Sequence, residues 1–98
     1  MKGFRDFLDE DVSANGFRLG ARDAADTAKN INMIFVQRAR WFSLPKPIHI
    51  DELREAYREM CPGMDLHYPG VIDKIFRPDI VRKLGYPVDT AGMVHYTP

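Results

Sequence analysis

The residues with the richest chemistry in this 98-residue chain are His49, His67, His95 and Cys61, and they are scattered. Cys61 and His67 are separated by five residues, a spacing that matches no familiar zinc-ligand pattern. A single cysteine also excludes an internal disulfide and any multi-cysteine metal cage. No glycine-rich phosphate loop of either common type is present. Asp51, Glu52 and Glu55 cluster at the start of an apolar-periodic stretch, where acids are explained by the positive end of a helix. Cys61, beside Pro62 at the other end of that stretch, reads as a small apolar side chain. No nucleophile, base and orienting group stand together, so the expectation is a non-enzymatic protein without cofactor or metal.

What remains is recognition by charge. Fourteen basic and fourteen acidic residues cancel to a formal net charge of zero. That argues against strong non-specific affinity for DNA, which basic domains show. The distribution is polarised all the same. Arg38, Arg40 and Lys46 fall in residues 31–50 with no acid, whereas residues 51–65 hold five acids against Arg54 and Arg58. From residue 66 onward Lys74, Arg77, Arg82 and Lys83 face Asp73, Asp79 and Asp89. The composition, 45% hydrophobic and 29% charged, is that of a globular chain with one core. The longest apolar run is four residues from Met33, too short to span a bilayer. Without an apolar stretch near the start, no secretory signal is expected, and the cytoplasm is the expected compartment.

The elements that must position these charges follow from periodicity. Residues 1–21 form an N-terminal arm or short helix: Phe4, Phe7 and Leu8 have helical spacing, but Asn15-Gly16 and Gly20 break it. Residues 22–42 predict a long helix, with Ile31, Ile34, Phe35 and Arg38 at spacings of three and four. Two shorter helices divided near Asn30 and Asn32 are the alternative. Pro45 and Pro47 end the element. A β-prone triplet at 48–50 leads into a helix over 50–60, opened by His49 or Asp51 and stopped by Pro62-Gly63. A shorter helix is predicted over 67–77, with Tyr68, Val71, Ile72, Ile75 and Phe76 on its apolar stripe. Residues 80–86 and 93–97 then predict the two strands of a C-terminal hairpin. Phe35 and Phe76 are the expected core aromatics.

This order of helix, β-prone triplet, helix, shorter helix and hairpin resembles a winged helix-turn-helix domain over residues 22–98. The fold class is then α+β, mainly α, with a three-helix core, a C-terminal two-stranded wing and an N-terminal arm. Arg22-Asp23-Ala24-Ala25 and the run from Asp79 to Tyr86 resemble small winged-helix proteins of phages and prophages. The resemblance implies a DNA-binding regulator or replication accessory factor. Double-stranded DNA would meet Lys74, Arg77, His67 and Tyr68 on the reading helix, Arg82, Lys83 and Tyr86 at the wing, and Lys46 at the flank. With so few contacts useful affinity would call for a homodimer. The sequence departs from the family pattern in its long 61–66 connection and in Pro69, Gly70 and an acid within the reading helix. Both departures count against base-specific readout. The plainer alternative pairs Arg77 with Asp73 as ordinary surface charge. The same scaffold also serves as a protein-interaction module, binding a host or phage protein through Phe4, Phe7 and Trp41.

Overall fold

The computed structural model describes residues 10–40 and 43–97. In chain order the elements are β1 (Val12–Ala14), β2 (Phe17–Leu19), α1 (Ala21–Arg38), β3 (Ile48–His49), α2 (Ile50–Met60), α3 (Pro62–His67), α4 (Val71–Ile75), α5 (Pro78–Lys83) and β4 (Met93–Val94). The architecture is α+β and mainly helical, with two small antiparallel sheets. None of the helices is long and apolar enough to cross a membrane, among the described residues.

α1 is one continuous helix, and its asparagines explain why it does not divide. Asn side chains weaken helices by competing for nearby backbone groups. Here Asn30 Nδ2 donates to Tyr57 Oη (3.4 Å) and Cys61 Sγ (3.7 Å), and the Asn32 side chain meets Tyr86 Oη at 2.6 Å. Tertiary partners occupy both amides. Ala24, Ala28, Ile31 and Phe35 form the buried stripe. The helix ends at Arg38, because Ala39 turns to extended backbone.

α2 follows the predicted bounds. His49 opens it by accepting the Asp51 amide on Nδ1 at 3.1 Å. Leu53, Ala56 and Tyr57 face the core, where the Tyr57 and Phe76 rings meet at 4.9 Å. Burial pushes the Tyr57 hydroxyl above its ordinary pKa.

Beyond this point the helices depart from the expected bounds. The helix expected over 67–77 is reduced to α4, because residues 68–70 leave the helix and Gly70 takes φ +79°, and the expected 61–66 connection is itself helical, as α3. Pro62 opens α3 at its first turn instead of merely ending α2. The strand expected at 80–86 is helical in α5: Pro78 starts it, and Ile80 and Val81 on α5, with Leu84 just beyond it, sink into the core. Burial outweighs the β preference of Ile80 and Val81.

The C-terminal strands pair differently as well. β4 pairs with β3, matching Ile48 to Val94 and His49 to Met93, and Val88 bridges to Val94 on the other edge. The resulting order is β3, β4, Val88, with residues 89–92 as the connecting loop. Asp89 organises that loop through Oδ1, which accepts the amides of Ala91 (2.9 Å) and Met93 (3.0 Å). The Met93 amide, and then His95 at 3.1 Å, hold the Asp89 carboxyl below the ordinary carboxylate range.

The second half of the expected N-terminal arm is also ordered differently. Residues 12–19 form a β-hairpin, because Asn15 (φ +52°) and Gly16 (φ +78°) give the doubly left-handed turn that joins two strands tightly. Val12 and Leu19 pair across it and are buried with the core. The helix expected around Phe4 and Phe7 lies outside the described residues, as does Trp41.

Candidate nucleic-acid interface

The ionic arrangement of the helices decides which cations are available. Arg58 on α2 bonds Asp65 on α3 and donates to Asp73 on α4 at 2.9 Å, with Glu55 at 3.4 Å. Arg54 adds contacts to Asp51 at 3.0 Å and to Asp73 at 3.8 Å. The hydrogen bond to Asp73 holds the Arg58 guanidinium above its already high pKa. Asp65 Oδ1 also accepts the Ile72 amide at 3.4 Å, so this cluster clamps α3 and α4 onto α2.

Asp73 therefore faces α2 and not Arg77. The Asp73–Arg77 pair of the alternative reading does not form, for a second reason too. α4 ends at Ile75, and Arg77 sits beyond it with extended backbone (φ −112°, ψ 148°). Helical i, i+4 geometry no longer applies there.

Lys74 and Arg77 are both exposed, and neither has a carboxylate within 4.0 Å among the described residues. Arg22, Lys29, Arg40 and Lys46 share that freedom. What distinguishes Lys74 and Arg77 is that they line one groove of about 170 Å³ together with Ala14, Asn15, Gly16 and Phe17 of the hairpin, and Ile80. The hairpin is tied to the same region. Asn15 Nδ2 donates to Asp79, and Lys83 Nζ donates to the Ser13 carbonyl.

The remaining sequence candidates are placed as follows. His67 ends α3 and is exposed. Tyr68, 68% exposed, lines a neighbouring groove of about 230 Å³ with Phe17, Leu19, Met64 and Val71. Arg82 is exposed but donates to the Val88 carbonyl at 2.9 and 3.3 Å. Lys46 is exposed on the connection between α1 and β3 and does not line the Lys74–Arg77 groove.

Tyr86 is a correction. Its side chain is fully buried, its ring stacks on Phe35 at 6.1 Å, and its hydroxyl donates to the Ala28 carbonyl at 2.9 Å. It is a core residue that ties the C-terminal segment to α1, and no face of it is free to meet DNA. Phe4, Phe7 and Trp41 lie outside the described residues.

Sequence reasoning missed the hairpin as a wall of this groove. The signal was present in Asn15-Gly16, the strongest short-range hairpin cue, flanked by Val12, Phe17 and Leu19. Among the described residues no group of three His, Cys, Asp or Glu side chains is placed to hold a metal ion. No protein-family model, no curated protein and no solved structure matches this chain.

Proposed function

We propose that this chain is a small non-enzymatic DNA-binding protein of winged-helix type that contacts the phosphate backbone through Lys74 and Arg77. The observation that carries the reading is the pairing of these two cations in one groove while Asp73 is committed to Arg58 and Arg54. Two further features support it. The order α1, β3, α2, further helices, Val88, loop and β4 suits a winged helix whose wing is the 89–92 loop. In addition, β1 packs on α5 and engages Lys83, while the hairpin turn engages Asp79. A covered α5 favours backbone contacts over insertion of that helix into a groove.

A neutral protein with few phosphate contacts binds weakly as a monomer, in the range of about 10⁻⁴ to 10⁻⁶ M typical of non-specific complexes. The test is a titration of duplex DNA at several salt concentrations. Each neutralised phosphate contributes about 0.9 to the slope of log affinity against log salt, so Lys74→Ala with Arg77→Ala should reduce it by at least about 0.9. An unchanged slope sinks the reading.

A second reading, self-association with another copy of this chain, is favoured by an apolar surface elsewhere. Val36 (57% exposed) and Leu44 (86%) border a concavity of about 630 Å³ with Ala39, Pro45 and Tyr96. Light scattering on the protein and on Val36→Glu tests it: a monomer at every concentration excludes the dimer.

A further inference from the structure

We infer that the groove between the β1–β2 turn and the α4–α5 junction is a subsite for one phosphate group of the nucleic acid, and that the N-terminal hairpin is part of the binding surface. This rests on the DNA-binding reading above and deepens it.

The argument begins with the two cations. Lys74 and Arg77 line the same small cavity with no carboxylate partner among the described residues, so each raises the electrostatic cost of the other. An anion seated between them removes that repulsion and gains attraction from both. The neighbouring carboxylate, Asp79, accepts from Asn15 and pairs at 4.0 Å with Arg82, and it is not within 4.0 Å of Lys74 or Arg77. The two side chains also complement each other: an arginine offers a planar fork to phosphate oxygens, and a lysine supplies a compact point charge.

The hairpin supplies the opposite wall and limits the size of the ligand. Ala14, Asn15, Gly16 and Phe17 close the groove to about 170 Å³, which suits a single phosphate group and not a length of backbone laid along an open track. Gly16 has no heavy atom within 4 Å of the position a Cβ would take, so the turn leaves space beside it for an approaching oxygen. The Asn15 bond to Asp79 and the Lys83 bond to Ser13 fix the wall relative to α5. A bridging phosphodiester and a terminal phosphate share this chemistry.

The test uses the full chain and two readouts. First, inorganic phosphate is titrated against chloride at equal ionic strength while amide chemical shifts are followed. Saturable shifts at Asn15, Gly16, Lys74 and Arg77 are expected, and their absence overturns the inference. Second, Ala14→Glu, which places a carboxylate in the groove, is compared with Ala14→Gln, the neutral side chain of equal size. Duplex affinity should fall at least tenfold for the glutamate variant relative to the glutamine variant. Thermal melts of both control for folding, since a packing defect affects the two alike.

Phosphate shifts without any duplex binding would leave the groove standing and overturn the DNA reading. Duplex binding with silent groove amides and equal Ala14 variants would do the reverse. Comparing 5′-phosphorylated, 5′-hydroxyl and closed circular duplexes then separates the sources. Preference for the phosphorylated end identifies a terminal phosphate, and equal affinity identifies a backbone phosphate.

Discussion

Replacing Tyr86 with phenylalanine separates a structural role from a DNA-contacting one. The ring is fully buried and stacks on Phe35 with planes 15° apart, and phenylalanine keeps that packing. Only the hydroxyl is lost, with its contacts to the Ala28 carbonyl at 2.9 Å and the Asn32 side chain at 2.6 Å. The Ala28 carbonyl stays within α1, and the half-buried Asn32 amide can turn toward water. The cost is therefore that of one net hydrogen bond, about 1 kcal/mol, and not that of a stranded buried group. In a domain of this size that lowers Tm by about 4–8 °C. Tyr86→Ala removes the ring as well and should cost about 3–5 kcal/mol, a large share of a total near 5–15 kcal/mol. Urea unfolding followed by circular dichroism measures both, with an unchanged m value for the phenylalanine variant. DNA affinity of Tyr86→Phe should equal that of the parent. A variant with parental stability and weakened DNA binding would refute the buried placement and restore the surface role that the winged-helix resemblance implied.

Three further outcomes follow from the loop and the ionic clamp. Gly92→Ala forces a side chain into φ +83° and sets its Cβ 2.8 Å from His49 Nε2, so about 1–2 kcal/mol should be lost; an unchanged melting temperature would contradict this. Asp89 has a folded pKa below its unfolded value of about 3.9, so its stabilisation is complete above that value and disappears as pH falls through the folded pKa. Asp89→Asn keeps the Oδ1 acceptor but not the charge, and its stability should decline less below pH 4 in acid titrations of unfolding. Arg58→Met releases Asp65 and Asp73, so amide hydrogen exchange should quicken across residues 61–73. DNA binding should weaken too, because Asp73 keeps only the longer contact to Arg54 at 3.8 Å and its charge beside Lys74 is less compensated, and a titration showing equal affinity would contradict the clamp's part in it.

The sequence by itself determined the elements whose signals are local. The 3/4 spacing of Ile50, Leu53, Ala56 and Tyr57, with His49 before them and Pro62 after, specifies α2 without help from the rest of the chain. Ala24, Ala28, Ile31 and Phe35 mark the buried face of α1 in the same way, although its continuity past Asn30 and Asn32 depends on their tertiary partners. The hairpin was equally local, in Asn15-Gly16, but the same pair reads as a simple break when the strands beside it are only three residues long.

Tertiary structure decided everything that depended on a choice of partner. Ile80 and Val81 favour a strand in isolation, yet their burial beside Leu84 is worth more than that preference, and α5 results. β4 pairs with β3 across more than forty residues of chain, a contact no local window contains. The sequence argument offered Asp73 only Arg77 as a partner, and the packing of α4 on α2 instead brings it to Arg58, fifteen residues away. That pairing leaves Lys74 and Arg77 without a carboxylate partner among the described residues, and the hairpin then closes a groove around them. Charge type was legible in the chain, but which charges remain free is a property of the packed helices, because ion pairing depends on distance in space.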